Sequence, residues 1–590
     1  MASKAKSKLK SVAKSAPTGG AVAKPVEYLD EKEDQPIIVS KCDGFRVIEL
    51  HGFQYIDCRD TKHGGMRNEI TEWLCNEMDE DSVYSYTHRY PVTFLLEHYY
   101  ILNNINHKDK RALLKILKAE QKKRSATYAT RKKQGMVETG DIETEFPVGA
   151  EVVFQNGDDI IGGVVQAIKI QSSWFRGTYF EIRLQIIHAI KGEVAAGHYT
   201  VRFPTWHGLV ELSTLPMRAP TVKDRKLLTE RGKKFSKFMK PGTYVSYKGT
   251  LTQDSYWSSR TFRADGRVVV DPISFERTDP ETWGDCIRAC GIQLEERDST
   301  TKLKSTVEID EKDYWRCLPV LYGFSLTVKQ WGRLELDGMS DIQWRDSAWE
   351  TLVLDPDEKD LIYSLVKFHG GGFTDIIEGK GGGCIFLLHG KPGWGKTASA
   401  EAVAELLHKP LYSVSVGELG VNTDVLERKL REILDVATIW DAVILLDEAD
   451  IFLEERDEHN IQRNAMVGVF LRLLEYHNGV LFLTTNRVKK IDPAFFSRIS
   501  VALHYRSEGK ALKVWTNLLI ASGLDPNWAT EMSTFDVNGR QIKNAIRMAQ
   551  TLARAKNRKV QITDLKRSCD AAIRFESEMT TKARKAANGE

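Results

Sequence analysis

Along the second half of the chain, short continuous apolar runs alternate with segments whose apolar residues recur at helical spacing. The runs are Cys384–Leu388, Leu411–Val416, Ala442–Leu446, Val480–Thr484 and Val501–Tyr505. Between the second and third, Leu426, Leu430, Ile433, Leu434 and Ala437 share one face of a helix predicted over Asp424–Trp440. Strands that are apolar throughout are buried on both faces, and helices between them make the sheet parallel. Residues 341–505 are therefore expected to form one α/β domain. Beyond it, Lys510–Ser522, Gly539–Ala555 and Ile562–Ser577 read as helices, broken at Asp525-Pro526 and Asn538-Gly539, which gives a small helical domain over 506–590. Upstream, Glu151–Phe154, Gly163–Ile170, Tyr179–Ile190, Tyr199–Phe203, Tyr244–Leu251 and Gly266–Val270 read as strands, several of them alternating apolar with polar. They predict a mainly β, barrel-like domain over 146–340; residues 37–145 are mixed and suggest no fold, and residues 1–36 read as a disordered basic tail.

Composition changes little in this picture. The 590 residues are 42% hydrophobic and 28% charged, which excludes a wholly disordered or collagen-like chain. No apolar run approaches the roughly 18–20 residues that span a bilayer, so no membrane span is expected. Lys and Arg total 84 against 81 Asp and Glu, and the near balance identifies no partner. The first 26 residues hold six lysines, no acid and no apolar core, unlike a secretory signal, and lack the arginines of a mitochondrial transit peptide. Eight scattered cysteines, with Cys286 and Cys290 lacking a second pair to complete a zinc site, suggest reduced thiols in the cytoplasm or nucleus.

The chemistry is concentrated where glycine is. Ten of the 43 glycines lie between Gly370 and Gly395, so backbone is brought close to something there. Gly390-Lys391-Pro392-Gly393-Trp394-Gly395-Lys396-Thr397 fits the phosphate-binding pattern G-x-x-x-x-G-K-[ST], directly after one apolar run and at the start of a helix. Such a loop turns backbone N–H groups toward phosphates and adds a helix N-terminus. Lys396 would reach the β- and γ-phosphates of ATP, and the Thr397 hydroxyl would ligate Mg²⁺. Asp447 and Glu448 end the run Ala442–Leu446, where a parallel sheet opens its ligand crevice. Asp447 suits the metal and Glu448 suits a general base acting on water. Asn486 closes the next run and can orient that water without adding charge; Arg498, twelve residues on, has the position of an arginine finger for a neighbouring subunit.

Together these residues resemble the AAA family of ATPases. Trp331, Trp344, Leu352-Val353-Leu354, Leu361-Ile362, Asp375–Gly383, Leu388-His389-Gly390 and Thr484-Thr485-Asn486-Arg487 are similar to a subgroup, abundant in filamentous fungi, with a long uncharacterised N-terminal region. The resemblance implies a five-stranded parallel sheet with helices on both faces, a helical lid, Mg²⁺-ATP between them, and assembly into a ring, as a rule a hexamer. It also implies that Asn486 is the first sensor, and that Arg540, which starts a helix with Gly539, touches the γ-phosphate from the lid. Three features depart from the family. Trp394 is bulky in the phosphate loop, no second arginine follows Arg498, and Gly417–Thr423 holds Leu419 and Val421 but no pore-loop aromatic.

Other readings fare worse. Asp447-Glu448-Ala449-Asp450 spells the helicase signature, but only 193 residues follow Thr397, too few for the second RecA-like domain a helicase needs. Residues 107–133 carry 11 Lys and Arg, and 223–248 carry nine interleaved with Phe235, Phe238, Tyr244 and Tyr247, as a nucleic-acid surface would. The simpler reading gives the first stretch a core face of Leu113, Ile116 and Leu117 and has Phe235 and Phe238 packing, so a nucleic-acid partner is not favoured. The favoured expectation is an Mg²⁺-dependent ATP hydrolase that remodels a protein or complex; a slow ATP-regulated scaffold is the alternative.

Overall fold

The computed structural model describes residues 37–42, 45–50, 53–57, 89–91 and 110–587, the last with gaps at 157–158, 174–176, 207, 256–257, 290–291, 294–308, 369–382, 421, 457–460, 476, 488–490 and 506–509. The expected basic tail over 1–36 and most of the glycine-rich stretch before Gly383 lie outside the described residues. The chain divides into two compact units, residues 1–237 with 285–321 and residues 238–284 with 322–590.

In the first unit, β1 (Ile37–Cys42), β2 (Phe45–Leu50), β3 (Phe53–Asp57) and β4 (Arg89–Pro91) form an antiparallel sheet in that order. Helix α1 (Lys110–Lys133) follows, with Leu113, Ile116 and Leu117 buried, as a core face requires. An antiparallel meander comes next, β5 (Glu151–Asn156), β6 (Asp159–Ser173), β7 (Gly177–His188) and β8 (Ala195–Pro204), edged by the short strands Met217–Arg218 and Ile292–Gln293. Phe180, Ile182, Leu184 and Ile186, every second residue of β7, are fully buried, so the period-two pattern marks the face on the core. Helix α2 (Val222–Phe238) buries both Phe235 and Phe238. The aromatics that would have stacked on bases there are core residues.

The second unit opens with strands β9 (Thr243–Tyr247), β10 (Thr250–Asp254), β11 (Ser259–Arg263) and β12 (Gly266–Val270), then helix α3 (Pro272–Thr278). It resumes with β13 (Val320–Ser325) and β14 (Gln330–Glu335). These and the short strand Met339–Ser340 form one seven-stranded sheet in the order β11-β10-β14-β13-β12-β9-Met339–Ser340. The barrel-like domain expected over 146–340 is thus two open sheets in two units. The reason is pairing between distant segments: β12 pairs with β13 from beyond the intervening stretch, Val268 opposite Ser325. The single strand expected over Tyr244–Leu251 is two, because β9 pairs with β12 while β10 turns to β11 and β14.

Helix α4 (Pro356–Phe368) leads into the α/β part. Here β15 (Cys384–Gly390), α5 (Lys396–Leu407), β16 (Leu411–Ser415), α6 (Thr423–Ile439), β17 (Val443–Asp447), α7 (Ile461–Glu475), β18 (Val480–Thr485) and β19 (Val501–Tyr505) build a five-stranded sheet in the order β16-β17-β18-β15-β19. Its strand pairings are parallel, and each of the five expected runs is one of its strands. Helices α8 (Ala511–Ala521), α9 (Gly539–Ala555) and α10 (Ile562–Ala587) follow, with a core of their own around Trp515, Ile542 and Leu565. Helix α9 starts where the sequence says because Asn538 caps it: its side chain accepts the Gln541 N–H at 3.0 Å, and the Gln541 side chain accepts the Asn538 N–H at 2.7 Å. Among the described residues, no helix is long and apolar enough to cross a membrane. Cys286, Cys317, Cys384 and Cys569 are buried free thiols.

Candidate active site

The C-terminal ends of β15, β17 and β18 converge on one edge of the parallel sheet, where such sheets bind ligands. Strand β15 ends at Gly390, with φ +142°, and a methyl group there would meet the Tyr505 carbonyl at 2.5 Å. Only glycine lets β15 and β19 lie that close. In the loop, Gly393 has φ +84°, and a Cβ on it would lie 2.5 Å from Asn538 Oδ1. The loop between β15 and α5 therefore touches the N-terminus of α9, and Arg540 stands in the first turn of that helix. Trp394 is partly buried and packs against the hydrophobic core cluster that includes Phe386 and Val403.

Lys396, the first residue of α5, is only 8% exposed. Its ammonium donates to the Gly390 carbonyl at 2.7 Å, the Lys391 carbonyl at 2.9 Å and Asn486 Oδ1 at 2.9 Å. Burial pushes its pKa down, Asp447 and Asp450 push it back up, and Arg540 is near enough to push it down again. The Thr397 hydroxyl lies 3.4 and 3.5 Å from the two carboxylate oxygens of Asp447. Two oxygens bound side by side to one Mg²⁺ at about 2.1 Å would be roughly 3.0 Å apart, so the pair fits a shared cation closely. No cluster of three or more His, Cys, Asp or Glu side chains suited to a metal occurs among the described residues.

Glu448 has φ +58°, a left-handed conformation that costs a glutamate about 1–2 kcal/mol. Its side of the turn borders a cavity of about 330 Å³ with Gly417, Asp450 and Arg487. Three residues to which the sequence reading gave no role hold this edge together. Thr484 donates its hydroxyl to Asp447 Oδ1 and accepts the Glu448 N–H at 2.9 Å. Asp450 accepts the Asn486 N–H at 3.0 Å and the Thr485 hydroxyl, which in turn accepts the Arg487 N–H at 3.0 Å. The available signal was the pair of hydroxyls, Thr484 and Thr485, at the end of an otherwise apolar strand.

Arg498 stands apart from this cluster. Its guanidinium donates to the Ala494 carbonyl at 2.9 Å and the Ser497 hydroxyl at 3.2 Å, and pairs with Glu475 at 3.3 Å. Asn486, Lys396, Thr397, Asp447 and Glu448 are brought together, with Arg540 in the first turn of the helix that the loop touches; Arg498 bonds elsewhere.

Residues 386–507 match the sequence model of the ATPase family associated with various cellular activities (AAA). The chain is 28% identical over 177 residues to a mitochondrial AAA-ATPase of Arabidopsis thaliana, covering 27% of this chain and 38% of that one. It is 33% identical over 119 residues to the nuclear valosin-containing protein-like protein of Mus musculus, over 18% of this chain and 14% of that one. The solved FIGL-1 AAA domain in complex with ADP aligns with a TM-score of 0.30 at 18% identity, over 39% of this chain and 89% of that one. The chain thus spans well under two thirds of the length of these curated relatives. Residues 386–507 form an AAA ATPase domain.

Proposed function

We propose that the chain binds ATP with Mg²⁺ at the edge of its parallel sheet and hydrolyses it, and that turnover drives remodelling of a protein or complex by a ring of such subunits. The observation that carries the reading is the convergence of four strand and helix ends. The Lys396 ammonium meets Asn486, and the Thr397 hydroxyl meets the Asp447 carboxylate, within one crevice beside the first turn of α9. Lys396 has three donors, now on Gly390, Lys391 and Asn486, that would turn to phosphate oxygens. Thr397 and Asp447 would hold Mg²⁺, which when bound supplies charge neutralisation on the phosphates. Glu448 would accept the proton of the attacking water as its oxygen bonds to the γ-phosphorus and ADP leaves, while Asn486 holds that water in line. Arg540 would meet the same phosphate from α9.

Arg498 would act on a neighbouring subunit's nucleotide after leaving Glu475. That pair is partly exposed, so its loss costs at most about 1 kcal/mol. The test is ATP turnover per protomer over a range of protein concentrations. Glu448→Gln is expected to keep ATP bound and lose hydrolysis by about 100-fold or more. Arg498→Ala is expected to lose turnover while each protomer keeps its ATP affinity. Normal turnover by the Glu448 variant would remove it from the role of base. Collapse of ATP affinity in the Arg498 variant would place that arginine in its own subunit's site.

A further inference from the structure

We infer that Thr484 is a positioning residue that sets the direction of the Glu448 carboxylate, an inference that rests on the hydrolytic reading above. The backbone ladder between β17 and β18 runs to Leu446 opposite Leu483. Past that point Thr484 makes three bonds to three consecutive residues of the turn that follows. Its hydroxyl donates to Asp447 Oδ1 and accepts the Glu448 N–H at 2.9 Å, and its carbonyl accepts the Ala449 N–H at 2.9 Å. The turn that carries both acidic residues is thus fastened along its whole length to one residue of the neighbouring strand.

The chemistry of the hydroxyl makes this specific. A single Oγ can donate to a carboxylate and accept from an N–H at the same time; among short side chains only serine and threonine do so. Thr484 is 2% exposed, so no bulk water replaces either bond if the hydroxyl is removed. The N–H it holds belongs to Glu448, whose φ of +58° is unfavourable for a residue with a side chain and persists only where its surroundings impose it. Relaxing that angle would swing the Glu448 side chain off its line while leaving Lys396, Thr397 and the phosphate loop in place. A displacement of about 1 Å in a reacting group can cost on the order of 100-fold in rate. Thr484 therefore acts on turnover through Glu448 and leaves ATP binding to the loop between β15 and α5.

The experiment compares steady-state ATP turnover of the full chain with that of Thr484→Val, Thr484→Ser, Glu448→Gln and Thr484→Val combined with Glu448→Gln. Valine keeps the shape and deletes both hydrogen bonds; should it fail to fold, Thr484→Ala takes its place. Thr484→Val is expected to lower kcat by about 10- to 100-fold with KM for ATP within about threefold of the parent. Thr484→Ser should recover kcat to within about threefold, because it restores the donor and the acceptor. In the Glu448→Gln background the valine change should add no further loss, since the group it aims is already gone. Parent-like kcat for Thr484→Val, a serine variant as slow as the valine one, or an added loss in the double variant would each overturn the inference and leave the hydrolytic reading standing. Absence of turnover in the parent, or parent-like turnover in Glu448→Gln, would overturn that reading and the inference with it.

Discussion

Replacing Trp440 by phenylalanine removes one hydrogen-bond donor from the second unit and little else, and the consequences can be worked from the structure. Trp440 follows α6 and stands just ahead of β17, the strand that ends in Asp447. Its indole Nε1 donates to Asp271 Oδ2 at 2.7 Å. Asp271 is 1% exposed, and its other oxygen caps α3 by accepting the Ser274 N–H at 2.9 Å. A hydrogen bond to a carboxylate is worth about 1.5–3 kcal/mol, and the volume left by the smaller ring adds roughly 1 kcal/mol, so Trp440→Phe should cost about 3 kcal/mol. Asp271→Ala loses the same bond and a helix cap worth about 1 kcal/mol, so its cost should be similar. The shared bond makes the two changes non-additive, with a coupling of about 2 kcal/mol. Native-state hydrogen exchange in β12 and β17 measures this in the unit concerned, without assuming that the whole chain unfolds in one step. Trp440→Phe should raise exchange of these strands roughly 100-fold, and the double variant should exchange more slowly than the sum of the singles requires. A coupling under about 0.5 kcal/mol would refute the reasoning, leaving the rings of Phe324, Trp331 and Tyr412 around Trp440 as the whole of its contribution.

Two further outcomes are expected. His188 in the first unit and His477 in the second are buried, and burial lowers each pKa from the ordinary 6.5 to about 4. The unfolded chain therefore binds these protons first. Stability is fully present above about pH 6.5 and falls as the pH drops toward 4, by about 2 kcal/mol per histidine at pH 5. Urea midpoints at pH 7.5 and pH 5 check this, and His477→Gln should flatten the dependence for the second unit. Gly393→Ala puts a methyl group 2.5 Å from Asn538 Oδ1 at a φ of +84°. It should displace the start of α9 and weaken ATP binding by about tenfold or more, measured by equilibrium titration with a fluorescent nucleotide; unchanged affinity would mean that α9 plays no part in the site.

The parallel sheet was legible because a strand buried on both faces must be apolar throughout. The tight loop between β15 and α5 was legible because its glycines are fixed by backbone geometry, with Gly390, Gly393 and Gly395 all at positive φ. Helix α9 could be placed to the residue because its cap, Asn538 with Gln541, is local. Helix α7 left a weaker mark: Met466, Val467, Phe470, Leu471, Leu473 and Leu474 form one buried face, but Ile461, Ala465 and Val469 are apolar outside it and blur the stripe. The seven-stranded sheet was hidden for a different reason. Its strands were visible one by one, but β12 beside β13 and β10 beside β14 are pairings between distant segments, which no local pattern encodes. The same holds within the site. Lys396, Asp447 and Glu448 announce themselves by residue type and place, whereas the bonds of Thr484 and Asp450 depend on which strand lies next to which.

Strand order explains why those partners matter. Strand β18 lies between β17 and β15, so its end faces both halves of the site. On one side Thr484 holds Asp447 and the Glu448 N–H; on the other Asn486 accepts the Lys396 ammonium. Asp450 then fixes the end of β18 itself, through the Asn486 N–H and the Thr485 hydroxyl. A shift of β18 would therefore move the proposed base and the lysine proposed to bind phosphate together, whereas a shift of β17 alone would break the bonds of Thr484 and leave Lys396 with its partners. Arg498 lies just before the edge strand β19, and its side chain bonds to Ala494, Ser497 and Glu475, so this coupling does not include it. Loss of the Thr484 hydroxyl should thus leave the Arg498–Glu475 pair intact, and defects at Thr484 and Arg498 should multiply when combined.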